Sequence, residues 1–417
     1  MDLKSLNMRT LFITQLIVLL SMASCKTQHN TLSKDGIDSL RLSDKQLEKV
    51  ALENQFTLDF FRISQQDAKS SENIFLSPLS ASMVLSMTAS GAEGSTLQEM
   101  QKALCYGNMD QDQVNSYYQT LISSLGKLND NTQIELANSL WYDKNFKVKK
   151  SFKDTSKQYY LADATALDFN SPSAKNEINS WVERSTHGKI TETIDDIPAQ
   201  TSMYLINALY FKGMWSEPFK EQDTRAADFH LHDKQTVQAD FMNITHDFQY
   251  YQDQKAQILE MPYGKGNFSM VFMLPNEGSS PQDLLQEMDG SFLKETFTAL
   301  NKRKLAVSVP KFKFSYQKEL NELLKSLGMQ EAFSPSADFS KLSDDSRTYI
   351  DEVLQKAFVE VNEEGTEAAA ATSVGIALTS MPVIEKVELN RPFIFMIKEN
   401  SSNLILFMGT LADPTQE

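Results

Sequence analysis

The stretch EEGTEAAAATSVGIALTSMP, Glu363 to Pro382, holds preferences that belong to different structures. Four successive alanines favour a helix, whereas its threonines, Val374 and Ile376 favour a strand. The segment before it, VLQKAFVEVN (353–362), reads as a strand, so Gly365 stands where the chain can fold back and continue alongside. Counting by twos from Thr366 gives Thr366, Ala368, Ala370, Thr372, Val374, Ile376 and Leu378, an uncharged set that grows more apolar along its length. The alternate set, Glu367, Ala369, Ala371, Ser373, Gly375 and Ala377, holds the only charge. As a strand the stretch could therefore bury one whole face. An inert Ala-rich surface helix would use the same composition, but the β-branched half is a poor helix and Pro382 ends any continuation. A segment balanced between states suits a switch.

Around this stretch the chain patterns as mixed α/β. Leu47, Val50, Ala51, Asn54, Leu58 and Phe61 fall at helical spacing, with one polar intrusion, and Ser77-Pro78 supplies an N-cap and first-turn proline for a second helix that Gly91 would end. Strands are expected at 133–141, 204–215, 305–314 and 353–362, and two more around the glycine turn of LEMPYGKGNFSMVFMLP (259–275). YQKELNELLKSLGM (316–329) reads as a helix closed by Gly328, and PFIFMI with LILFMGTL (392–411) as an antiparallel hairpin. At 417 residues, with no Gly/Ser-rich or Pro-rich break after the first 45, composition permits two domains or one large one.

The N-terminus has Lys4 and Arg9, then an apolar run from Leu11 to Leu20 too short to span a membrane, then small residues, as in a secretory signal. Ala23-Ser24-Cys25 is similar to the lipobox of bacterial lipoproteins, with Met22 at the place of the usual leucine. An ordinary signal peptide with an incidental cysteine is the other reading. On the lipoprotein reading, residues 1–24 are removed, Cys25 is lipidated, and residues 25–45 tether a domain of residues 46–417. As flexible chain, residues 26–44 would span about 25 Å. The product would be exported and lipid-anchored in the cell envelope, periplasmic or on the outer surface, meeting membrane through its anchor alone. The other cysteine, Cys105, has nothing basic beside it in sequence and reads as a buried structural thiol.

The formal charge of −15, which becomes one unit more negative if the leader is lost, repels phosphate backbones, so nucleic acid is not an expected partner. Five histidines, His29, His187, His230, His232 and His246, form no metal-ligand pattern and read as surface residues. No nucleophile elbow, Walker loop or dinucleotide fingerprint appears, so an enzyme, a cofactor and a metal are not expected.

NIFLSPLSASMVLSMTASGAEGST (73–96), INSWVERSTHGKI (178–190), LINALYFKGMWSEPF (205–219), MPYGKGNFSMVFMLP (261–275), ADFSKLS (337–343), NEEGTEAAAAT (362–372) and NRPFIFMI with LFMGTLADP at the end follow one another in an order and spacing that resemble the serpins, the serine protease inhibitor family. The resemblance covers about residues 47–414 and implies one domain of α+β class, with a large central mixed sheet, two further sheets, eight or nine helices and an exposed reactive-centre loop at about 363–386. It implies a monomeric suicide substrate: a protease attacks the loop, forms an acyl-enzyme, and the cut loop inserts as a central strand, distorting the protease. By resemblance, Glu363, Gly365, Thr366, Glu367, Ala368, Ala369, Ala370, Ala371 and Thr372 form the loop hinge. Ser77, Ser80 and Asn207 match the polar cluster beneath the parting strands, and Trp215 with Glu363 match the place where the loop first enters. Gln355 stands where many serpins have a histidine in that cluster, which removes a histidine-based pH response there. Fourteen residues on from Gly365 places the scissile bond at Thr379-Ser380; counting back from Arg391-Pro392-Phe393 as in shorter-looped relatives gives Met381 instead. No Lys or Arg occurs between Glu364 and Lys386, so the implied targets are elastase-like, chymotrypsin-like or subtilisin-like serine proteases, with papain-like cysteine proteases also open. A non-inhibitory serpin acting as a binding protein is the alternative, against which Thr366 and the alanines argue.

Overall fold

The computed structural model describes residues 39–66, 68–128, 132–198, 201–345, 347–366 and 384–416. Nine α-helices and fifteen strands occur among them. The first helix, α1 (Asp44–Gln66), buries Phe56, Phe60 and Phe61, but Leu47 is exposed. The stripe that is buried instead includes Lys49 and Glu53, paired at 2.6 Å with almost no exposure. Glu53 accepts from Ser82 Oγ and Tyr118 Oη, each at 2.6 Å, and Lys49 donates to the carbonyl of Leu104, which satisfies the buried charges. Lys49 also reaches the carbonyl of Cys105, so a basic group does stand near this half-buried thiol. Burial still outweighs Lys49 and pushes the thiol up, away from reactivity.

Helix α2 (Pro78–Ala89) starts as expected, with Ser77 capping the backbone N–H of Ser80 and Pro78 in the first turn. All of its residues are buried, because it lies between two sheets and packs on β15 (Ile405–Leu411) and β4 (Met203–Met214). Behind it, a nine-stranded sheet contains β1 (Ile74–Leu76), β7 (Ala256–Tyr263), β8 (Phe268–Pro275), β14 (Phe393–Glu399) and β15. The unbroken apolar runs of β8, β14 and β15 are wholly buried, and Phe75 stacks on Phe407 at 5.0 Å and on Phe395 at 5.6 Å. The sheet continues through the long β6 (Thr236–Gln252), which pairs with β7 along one edge and with β9 (Asn301–Pro310) along the other. The long β6 thus links the two further sheets in one continuous strand order.

In front of α2 lies a mixed sheet in two pieces. One is β3 (Asp163–Leu167), parallel to β2 (Thr132–Asp143), which is antiparallel to β4. The other is β10 (Phe312–Glu319) with β11 (Leu354–Val361). The expected single strand at 305–314 is therefore two strands in different sheets, broken at Lys311, whose N–H donates to Asp240 O. The expected helix at 316–329 is shortened to Asn321–Ser326, because Tyr316 to Glu319 complete the ladder with β11. The pattern of buried Phe312, Phe314 and Tyr316 alternating with exposed Lys313, Ser315 and Gln317 has a period of two, which overrides the helical spacing of the leucines that follow. Helix α6 (Pro172–Ser185) covers β2 and β4 on their outer side through Ile178, Val182 and the Trp141–Trp181 contact.

Candidate functional site

At the end of β11 the chain reverses over Asn362–Glu364 and returns as the short strand β12 (Gly365–Thr366). Asn362 builds the turn: its side-chain oxygen accepts from the N–H groups of Glu364 and Gly365, and its carbonyl accepts from the Trp215 indole at 3.0 Å. The backbone of Trp215 donates to Glu364 O and that of Phe219 to Glu363 O, both at 2.8 Å. Glu363 is buried, 2.9 Å from Lys311 Nζ, and accepts from Thr224 Oγ1 at 2.8 Å. Burial alone would raise its carboxyl, but the hydrogen bonds from Lys311 and Thr224 together prevail and hold it below the usual carboxylate range.

Strand β12 runs antiparallel to β4, with Gly365 opposite Met214 and Thr366 opposite Gly213. Its partner is thus β4 rather than β11. Gly365 has φ +145°, and a Cβ there would stand 2.1 Å from Gly213 O, so no other residue fits without backbone movement. Thr366 is buried and shares a hydrogen bond of 2.8 Å with the Tyr263 hydroxyl. The Tyr263 ring stacks on Trp215 at 4.5 Å, and burial raises its phenol far above the ordinary range, which keeps the hydroxyl protonated. Gly365 and Thr366 are both buried, so β12 alone does not separate the two faces that strand parity distinguishes.

The polar cluster lies lower, at the N-cap of α2. Gln355, on β11, grips Ser77 at both backbone atoms, accepting from its N–H at 3.0 Å and donating to its carbonyl at 2.8 Å. Ser77 Oγ donates to Leu406 O and accepts from the N–H of Ser80. Asn207 is in β4 opposite Asn138 of β2. Ser77, Ser80 and Gln355 are thus brought together, Trp215 is apart from them in the hinge with Glu363, and Asn207 is placed only by its backbone register in β4.

Between β4 and β11 there is a slot. The two strands are not ladder partners among the described residues, and they flank a cavity of about 240 Å³ at Leu205, Ile206 and Leu354, and a smaller one of about 20 Å³ beside Leu209, Phe358 and Thr366. Glu367, Ala368, Ala369, Ala370, Ala371, Thr372, Thr379, Ser380, Met381 and Cys25 lie outside the described residues.

The model of the family described as serpin (serine protease inhibitor) matches residues 51–414. This chain belongs to the serpin family. Leukocyte elastase inhibitor A of Mus musculus is 35% identical to this serpin over 373 residues, covering 86% of this chain and 97% of the relative. Among solved structures, the thermophilic serpin tengpin in its native state has a TM-score of 0.81 at 35% identity, covering 90% of this chain and 96% of its own. Human thyroxine-binding globulin complexed with its hormone has a TM-score of 0.83 at 30% identity, covering 89% and 100%. The expected fold is thus the observed one.

Four residues that hold the hinge of this serpin, Lys311, Thr224, Tyr263 and Gly213, escaped the sequence reading. Tyr263 and Gly213 do stand inside the motifs MPYGKG and FKGMW, but their partners are far along the chain. Because the Glu363 carboxyl is held low, its anchoring contributes stability above the ordinary carboxylate pKa and loses it as pH falls through the lowered value. Glu363→Gln is therefore expected to cost about 1–2 kcal/mol at neutral pH. The difference from wild type should shrink toward zero below about pH 4, as read by urea unfolding across pH.

Proposed function

We propose that this serpin is an irreversible suicide-substrate inhibitor of serine proteases, whose cut loop inserts between β4 and β11. The observation that carries the reading is β12, already paired antiparallel to β4 at the mouth of the slot, with Thr366 buried. Since β12 is antiparallel to both β4 and β11, those two strands run parallel, and a filling strand would be antiparallel to each. Continued in register, Thr372 would meet Asn207 and Ile376 would meet Met203. Roughly a dozen new ladder bonds at about 1 kcal/mol net each, with one buried face, would release an amount comparable to a domain's stability. The small side chains from Ala368 to Thr372 would pass between strands already in place.

The lack of Lys or Arg before Lys386 favours elastase-like, chymotrypsin-like or subtilisin-like targets, with papain-like enzymes as a further class. The names of relatives that inhibit leukocyte elastase agree with that preference. Cleavage at Thr379-Ser380 is preferred over Met381. We also propose that Cys25 carries lipid and holds the protein, as a monomer, in a bacterial cell envelope. If the protein is instead a non-inhibitory binding protein, as its likeness to thyroxine-binding globulin allows, no covalent complex forms with any protease.

With pancreatic elastase as probe, wild-type protein should give an SDS-resistant complex and gain heat resistance once its loop is cut. Thr366→Arg, which asks an unpartnered charge to enter at Tyr263, should be cleaved at the same bond but release active elastase, whereas Glu367→Arg should remain an inhibitor. Equal trapping by Thr366→Arg and wild type would end the insertion mechanism for this protein. Mass spectrometry of the released C-terminal peptide should show it beginning at Ser380; another start moves the register alone. Labelled fatty acid should enter wild type, and Cys25→Ser should be soluble with inhibition intact; unlabelled, soluble wild type would refute the anchor.

A further inference from the structure

The larger cavity of the slot, of about 240 Å³, has two kinds of wall. Tyr204, Leu205 and Ile206 on the β4 side and Leu354 of β11 give it apolar flanks, while Asp195, Asp196 and Glu352 bring three carboxylates to it. No lysine, arginine or histidine among the described residues lines it. Thr193 lines it too; it is only 9% exposed, and its hydroxyl is buried with no hydrogen-bond partner among the described residues. Burial above all, then Glu319 and Asp351, pushes the Glu352 carboxyl up, so a cation placed beside it would gain by restoring its charge.

Two asparagines hold these groups in place. Asn179 of α6 accepts from the N–H groups of Thr193 and Ile194 at 2.9 and 3.0 Å and donates to Ile194 O at 2.8 Å. On the other side Asn321 accepts from the N–H of Val353 at 2.9 Å and donates to Asp351 O at 2.7 Å, which fixes the backbone on either side of Glu352. Asp195 and Asp196 also line an open cleft of about 830 Å³, shared with Asp143 and with Asp345, itself 2.8 Å from Arg347. Lys175 is the one lysine lining that cleft among the described residues, and it stands 3.5 Å from Glu192.

We infer that the cavity is a binding site for a linear aliphatic polyamine, with one ammonium group at Glu352 and Thr193, the methylene chain along Leu205 and Leu354, and a second ammonium at Asp195 and Asp196 facing the cleft. An ammonium group donates and cannot accept, and carboxylates with an unpartnered hydroxyl supply the acceptors. Charge-assisted bonds made in such a partly enclosed place are stronger than those at an open surface. The methylenes cover the apolar flanks, which a bare ion would leave wet. A metal ion fits poorly, since no three of the His, Cys, Asp and Glu side chains among the described residues are placed to hold one. The site belongs to the uncleaved protein and does not rest on the insertion reading.

Calorimetric titration of the uncleaved full-length protein, in about 0.15 M salt to screen the acidic surface, tests the site. Spermidine should bind one per chain and 1,4-diaminobutane more weakly; butylamine, which keeps the carbon chain but loses one ammonium, should bind about tenfold more weakly than the diamine. Glu352→Gln should weaken spermidine about tenfold and Thr193→Val about threefold. Asp112→Asn, which removes one charge from the exposed first turn of a distant helix, should leave the affinity unchanged. If Asp112→Asn weakens spermidine as much as Glu352→Gln does, the attraction is that of the whole acidic surface and the site is overturned. Butylamine binding wild type as tightly as the diamine overturns it as well, and that comparison needs no variant to fold. Trilysine matching spermidine would give the cavity to a partner's basic side chain and end the polyamine assignment, and magnesium chloride displacing spermidine at equal concentration would end the organic cation.

Discussion

Backbone groups in a sheet reach their partners through ladders, and β4 and β11 each have a ladder on the side away from the slot. β4 pairs with β2 from Met203 to Gly213, and β11 with β10 along its whole length. Facing each other, the two strands run parallel, the less stable arrangement per residue, and the sheet is divided there. Different anchors hold the two sides. Gln355 fastens the β11 side to the cap of α2, whereas Thr366, through Tyr263 and Trp215, fastens the returning chain at the top of the β4 side. The hinge and the polar cluster both take their meaning from that division.

The core beneath the slot is not arranged for greatest stability. Helix α2 is fully buried yet carries Ser80, Ser82, Ser86 and Thr88, and its neighbours on α1 bring in the Lys49–Glu53 pair. Buried ion pairs of this kind are often no better for stability than apolar residues of the same shape. Such polar groups leave the native core less stable than apolar residues of the same shape would make it.

What could be read in the sequence depended on how local the governing contact is. The start of α2 was legible because Ser77 and Pro78 act within one turn, and the last hairpin because PFIFMI and LILFMGTL are joined by a short connection. The break at Lys311 was not, since it depends on β9 and β10 finding partners in separate sheets. Nor were the hydrogen bonds from Lys311 to Glu363 and between Tyr263 and Thr366, whose partners are 52 and 103 residues apart.

Two glycines meet where Gly365 lies against Gly213, and neither position has room to change: a Cβ on Gly213 would strike the Tyr263 ring at 2.7 Å. The two strands are therefore fixed to each other at their point of closest approach, and a side chain gained on either one would have to be met by a shift of backbone on the other or of the Tyr263 ring between them. Drift elsewhere in the chain cannot relax that pair, so a lineage of this fold keeps both glycines together or gives up the junction they form.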